Sequence, residues 1–183
     1  MYESEKQSLI DCALQMKAEQ LIKGNGGNVS LRVDDDRFLV TPSAMDYETM
    51  EPSDVVVVDA AGNVVEGTRR PTSDITAVLY VFNHRPDINA VIHTHQPYAT
   101  ALSLVADELP ADFVTVIDEL NAAVKFAPFT RSSDEGMGVQ TVEYAGDSLA
   151  VILKHHGVIA FGKSVREALS VAVNLEEGCK CYL

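Results

Sequence analysis

Positive charge is scarce in this chain. Fourteen lysines and arginines stand against 27 aspartates and glutamates in 183 residues, a formal net charge of −13. Nucleic-acid binders usually carry a basic patch, and anionic lipid attracts clustered lysine and arginine, so the balance argues against both partners. Long apolar runs are missing too: none approaches the ~20 residues needed to cross a bilayer. The start, Met1-Tyr2-Glu3-Ser4-Glu5-Lys6, lacks the basic-then-apolar layout of an export signal. Cysteine is limited to Cys12, Cys179 and Cys181. An odd count, with two of the three too close for an easy bridge, points to reduced thiols and a cytoplasmic protein. Cys179 and Cys181 could be soft metal ligands, but a lone C-x-C lacks the second pair of a zinc site. Repeats, low-complexity tracts and long linkers are also lacking, so one domain over residues 1–183 is expected, long enough for a substantial core. The acidity reads as solubility. It leaves room for a phosphate ligand held locally by amides, hydroxyls and a metal.

What is present alternates between two periods. Leu9, Ile10, Ala13, Leu14, Met16, Ala18, Leu21 and Ile22 recur at helical spacing over residues 5–22. Lys23-Gly24-Asn25-Gly26-Gly27-Asn28 reads as that helix's stop. Strands are expected at Val29 to Val33, Phe38 to Thr41, Val55 to Val58, Asn89 to His95, Leu149 to Leu153 and Val158 to Phe161. Ser73 or Asp74 can cap a helix reaching about His84, Pro97 can open one through about Val105, and Ser164-Val165-Arg166-Glu167 is a capping box for a helix from Val165 to Tyr182. Residues 106–146 are mixed, without clear boundaries. The pattern predicts an α/β fold with one central, mainly antiparallel sheet and helices against it.

Of the five histidines, four lie in two clusters. In His93-Thr94-His95 the residues two apart share one face of a strand, close enough to share a cation. Surface histidines on a strand edge would need no partner, but Ala90-Val91-Ile92 before them marks the strand as buried. His155-His156-Gly157 follows another apolar strand, and either histidine can supply a third ligand from the turn that the glycine permits. Three neutral imidazoles with an open position suit catalytic zinc, manganese or cobalt. His84, beside Arg85-Pro86, reads as solvated.

Gly24-Asn25-Gly26-Gly27-Asn28-Val29-Ser30 can turn backbone N–H groups toward an anion. It follows a helix, so it is no dinucleotide fingerprint, and by itself it reads first as a plain turn. Thr41-Pro42-Ser43-Ala44 and Pro71-Thr72-Ser73 are further hydroxyl-bearing turns that could complete a phosphate cradle. Asp74, after the second, can be a general base, a metal ligand or only a helix cap; local sequence favours the cap.

Together these stretches resemble the class II aldolase/adducin family almost end to end. The matching segments are Gly24 to Arg32, Thr41-Pro42-Ser43-Ala44, Glu66 to Asp74, Arg85 to His95 and His155 to Lys163. The resemblance implies a three-layer α/β/α domain, commonly a homotetramer with sites at subunit interfaces. It implies metal binding by His93, His95 and His156, the last because the family's ligand directly precedes glycine. It implies a sugar-phosphate substrate whose phosphate meets Gly27, Asn28, Ser43, Ala44, Thr72 and Ser73. Asp74 falls at the family's catalytic acid/base, which also approaches the metal in the empty site.

Three departures qualify that reading. The family's aldolases usually have glutamate where this chain has Asp74, while its epimerases have aspartate. Fuculose-phosphate aldolases carry a tyrosine acid near the segment that here reads Phe113-Val114-Thr115, and Asp118 falls where epimerases carry a catalytic aspartate. Many relatives continue past the position of Leu183 with a segment that gives a tyrosine to a neighbour's site. A metal-dependent retro-aldol cleavage of a small ketose phosphate is the favoured activity. An L-ribulose-5-phosphate 4-epimerase-like reaction and a non-catalytic adducin-like module are the alternatives.

Overall fold

The computed structural model describes residues 1–183. Its first helix, α1 (Glu3–Ala18), buries Leu9, Ile10, Ala13 and Met16. It ends before the glycines that were expected to stop it. Gln20 takes a left-handed conformation at φ 60, and the Leu21 and Gln20 N–H groups close back on Met16 O and Lys17 O at 2.9 and 3.0 Å, a Schellman stop formed without glycine. Leu21 and Ile22, freed from the helix, drop into the core. The glycine loop therefore shapes the entry to the first strand and leaves the helix end to Gln20.

The hairpin forms as expected, with β1 (Asn28–Asp34) antiparallel to β2 (Arg37–Val40). Two short 3-10 turns lead to β3 (Val56–Val58) and β4 (Val64–Glu66). Helix α2 (Ile75–His84) crosses to β5 (Ala90–Thr94), and α3 (Pro97–Leu102) stops three residues short of the expected Val105. The unassigned stretch resolves into β6 (Glu108–Leu109), α4 (Val114–Leu120), β7 (Val124–Ala127) and α5 (Glu135–Ala145). A hairpin of β8 (Ala150–Leu153) and β9 (Gly157–Gly162) then leads to α6 (Val165–Tyr182). Ser164 caps α6 by accepting from Glu167 N, while Glu167 reaches back to Lys163 N.

All nine strands join one sheet in the order β4-β3-β2-β1-β5-β9-β8-β7-β6. Every pairing is antiparallel except β7 with β8. Alternate strand residues go to opposite faces. Val57, Ala90, Ile92, Ile152, Val158 and Ala160 pack under α1, α3, α4 and α6. Val56, Val58, Val91, Val151, Ile159 and Phe161 pack under α2 and α5. Helices thus cover both faces, giving three α/β/α layers, and each fully buried Val, Leu or Ile contributes about 1.5–3 kcal/mol. His93 shares the face of Val91, and Asn28, directly across the ladder from it, lies on the same side. No helix is long and apolar enough to cross a membrane.

Candidate metal centre and active site

The site grows out of the ends of two neighbouring strands. β5 and β9 are paired, with His93 opposite Ile159 and Thr94 opposite Val158. His93 is buried, and its Nδ1 is 2.9 Å from Val158 O. A carbonyl can only accept, so Nδ1 carries the proton and Nε2 presents its lone pair to the site. That Nε2 lies 3.1 Å from His95 Nε2. His95 is held past the strand end by its own N–H, which donates to Leu21 O at 3.0 Å.

His156 arrives from the turn between β8 and β9. Its N–H donates to Leu153 O at 3.1 Å, and His155 makes the corner in a left-handed conformation at φ 60. Gly157 is forced by packing: a Cβ there would stand 2.1 Å from Thr94 O. The three rings converge, with centroids 4.8, 4.8 and 5.3 Å apart. One nitrogen of each lies within 4.8 Å of the others. His155, exposed on the turn, stands outside the group and donates its N–H to Ser103 Oγ at 3.2 Å.

Burial pushes His93 from its ordinary value near 6.5 down to about 4, against the opposing pull of Asp74. Burial also lowers His95 and His156. All three are therefore neutral near pH 7, as metal ligands must be. With one nitrogen of each ring turned toward the others and His93 fixed by an outer carbonyl, the donor set fits a divalent cation.

Asp74 stands beside this group at the start of α2, and its side chain does not cap the helix. The cap reading is overturned: Oδ2 accepts from Asn28 Nδ2 at 2.9 Å and Oδ1 from Ser133 N at 3.0 Å. Both contacts cross the fold, by 46 and 59 residues. The carboxylate is buried and is not one of the three converging donors.

The glycine and hydroxyl turns are stitched together. Thr41 N donates to Val29 O, Thr72 N to Thr41 O and Ser43 N to Arg70 O. Tyr47 donates its hydroxyl to Gly27 O at 2.9 Å. Gly27, at φ +74, allows a close approach, since a Cβ there would stand 2.4 Å from His93 O. Ala44 sits in the same region at φ 57. Asn28 and Thr72 are buried, while Ser73 and Ala44 are exposed and Ser43 is half-exposed. Asn28 Oδ1 is buried without a partner. Asp118, by contrast, is exposed on α4 and joins neither the histidines nor Asp74.

Sequence reasoning missed the loop after β7. Phe129, Thr130, Arg131 and Ser132 wall a cavity of about 350 Å³ together with His155 and His156. The available signal was Ser132-Ser133-Asp134-Glu135 after an apolar strand, the start of a helix that Asp134 caps by accepting from Gly136 N at 2.8 Å.

The family described as Class II Aldolase and Adducin N-terminal domain matches residues 7–183. The chain belongs to this family. Its relatives include the 5-deoxy-D-ribulose 1-phosphate aldolase of Bacillus thuringiensis serovar kurstaki. That protein is 31% identical over 183 residues, 100% of this chain and 85% of the relative. The L-fuculose phosphate aldolase of Escherichia coli K12 is 30% identical over 175 residues, 96% of this chain and 80% of the relative. A solved L-fuculose 1-phosphate aldolase superposes with a TM-score of 0.92 at 32% identity, covering 98% of this chain and 84% of its own. The family's layered fold is the one described above.

Proposed function

We propose that this chain is a divalent-metal-dependent aldolase that cleaves a small ketose phosphate into an aldehyde and a dihydroxyacetone-phosphate-type enediolate. The observation that carries the reading is the convergence of His93, His95 and His156 beside the buried carboxylate of Asp74. Relatives named as ketose-phosphate aldolases, matched over nearly all of this chain, support it.

His93, His95 and His156 would hold the ion, with zinc the first candidate and manganese or cobalt alternatives. When bound, the ion would supply Lewis-acid chemistry at the ketose carbonyl. The protein supplies the rest. Asp74 takes the proton from the hydroxyl beyond the breaking bond, its position set by Asn28 and the Ser133 N–H. Gly27, Asn28, Ser43, Ala44, Thr72 and Ser73 hold the phosphate through neutral donors, with the loops braced by Thr41 and Tyr47. This fixes the substrate so that its reactive end meets Asp74.

An epimerase reading gains from Asp74 and Asp118, and within one chain Asp118 is exposed on α4 and makes no hydrogen bond to the histidine group. Exposed Val114 and Ile117 beside it on α4, with Leu104 and Val105 nearby in sequence, support a homo-oligomer. A neighbouring copy is the one route by which Asp118 could reach a site. The deciding experiment incubates metal-loaded protein with dihydroxyacetone phosphate and an aldehyde panel, beside L-ribulose 5-phosphate. Carbon–carbon bond formation with an aldehyde supports the aldolase. Inversion of the pentulose alone would replace it with the epimerase. Purified protein without metal and without either activity would leave a non-catalytic module.

A further inference from the structure

The cavity beside the histidines differs in charge from the chain as a whole. Although 27 of the 183 residues are acidic, its walls, Phe129, Thr130, Arg131, Ser132, His155 and His156, include no carboxylate. A second cavity, of about 400 Å³ beside the first hairpin, has Asp34, Asp35, Asp36 and Glu66 in its walls. Arg131 is the histidine-side cavity's one permanent cation.

That cation is not neutralised within the chain. Arg37, Arg69 and Arg85 each pair with an aspartate, and Arg32 donates to the carbonyls of Phe82 and Arg85. Arg131, like Arg70 and Arg166, takes part in none of the ion pairs, and of these three only Arg131 lines the cavity beside the histidines. Nor is it on a free arm. Two residues on, Ser133 is tied to Asp74 at 3.0 Å, and Asp134 is tied to the first turn of α5. On the other side β7 ends at Ala127, locked to β8. Next to Arg131, Thr130 Oγ1 is buried and without a partner.

A guanidinium presents paired N–H donors that match a carboxylate or a phosphate. Repulsion from this acidic chain is screened beyond roughly 8 Å at physiological salt, so a local cation decides whether an anion settles here. We infer that Arg131 forms an anion subsite for the half of the substrate that leaves as the aldehyde. The chain then selects an aldehyde that carries its own carboxylate or phosphate. The inference rests on the aldolase reading and divides the substrate between two anion sites. The enediolate phosphate lies on the neutral turns at Gly27, Ser43 and Ser73, and the acidic end of the aldehyde lies on Arg131.

The test compares wild type, Arg131→Ala and Arg131→Lys, each reconstituted with zinc. Dihydroxyacetone phosphate is condensed with glyceraldehyde, glyoxylate or glyceraldehyde 3-phosphate. Arg131→Ala should raise KM for glyoxylate, for glyceraldehyde 3-phosphate or for both about tenfold. It should leave KM for dihydroxyacetone phosphate and use of neutral glyceraldehyde within about twofold, and lysine should restore part of the loss. Whichever acidic aldehyde responds identifies the group as carboxylate or phosphate. An equal loss with all three aldehydes, a raised KM for dihydroxyacetone phosphate, or no change at all overturns the inference. Should wild type condense none of them, the aldolase reading itself fails. Calorimetric titration with 3-phosphoglycerate then still reads Arg131: weaker binding by Arg131→Ala supports the anion subsite, and equal binding overturns it.

Discussion

His93, His95 and His156 come from the ends of two adjacent strands, locked by backbone pairs and by packing that admits no side chain at Gly157. Phe129 to Ser132 approach the same site on a loop, with Phe129 and Arg131 exposed and one main-chain contact from Ser133 to Asp74 as their tie. The first region can place three nitrogens within a few ångströms because the ladder fixes the backbone before any ligand arrives. The second is held at its ends only. Such a pairing suits invariant chemistry on the sheet and adjustable selection on the loop.

Removing a strand-borne ligand should have the largest effect. His93→Ala or His156→Ala should lose most bound metal and activity, beyond the roughly 10–100-fold that outer partners cost. Metal analysis of the purified variants checks this, and full zinc occupancy in His156→Ala would sink the ligand assignment. Next comes Asp74→Asn, expected to stay folded and metal-replete while losing about 10²–10⁴ in turnover. Near-wild-type turnover would remove Asp74 as the base.

Gly157→Ala tests whether the rigid half is rigid for the stated reason. Its Cβ must displace Thr94 O, at a cost of about 1–3 kcal/mol in unfolding free energy, with weaker metal binding alongside. The equivalent change at exposed Ser132 should leave stability within about 0.5 kcal/mol. Equal losses at both positions would erase the contrast between sheet and loop.

Acid should act on the sheet side as well. His93 is held well below its unfolded value, so neutral His93 contributes stability that is complete above about pH 6.5. That contribution is lost as the pH falls toward about 4. In chelator-treated protein the decline should reach up to about 3 kcal/mol, read by denaturant titration across this window. A flat profile, or a His93→Gln variant with the same slope, would refute the origin. The smallest effect is expected for Asp118→Asn, within about twofold in aldolase turnover. A large loss would instead place Asp118 in a neighbour's site.

The histidine pair was legible because strand periodicity puts residues two apart on one face, and the apolar run before it marks a buried strand. The chain order also showed the hairpin and the last helix, whose local caps and turns match their final form. Three features were not legible. The Schellman stop at Gln20 forms where no glycine signals it, so α1 ended earlier than the glycine loop implied. Asp74 stands where a helix cap belongs, and local sequence favours that role. Only Asn28 and Ser133, brought from 46 and 59 residues away, draw the carboxylate into the site. The loop at Phe129 to Ser133 lies in a stretch without a clean period.

What the sequence determined by itself is what depends on neighbours along the chain: the alternation that builds a two-faced sheet and the His-Thr-His spacing. What tertiary structure decided is which distant groups share one volume. The third imidazole, the partners of Asp74 and the unpaired Arg131 meet because β1, β5 and β9 lie side by side and the β7–α5 loop crosses the end of that array. Proximity across strands is set by sheet order and burial, which no local pattern encodes.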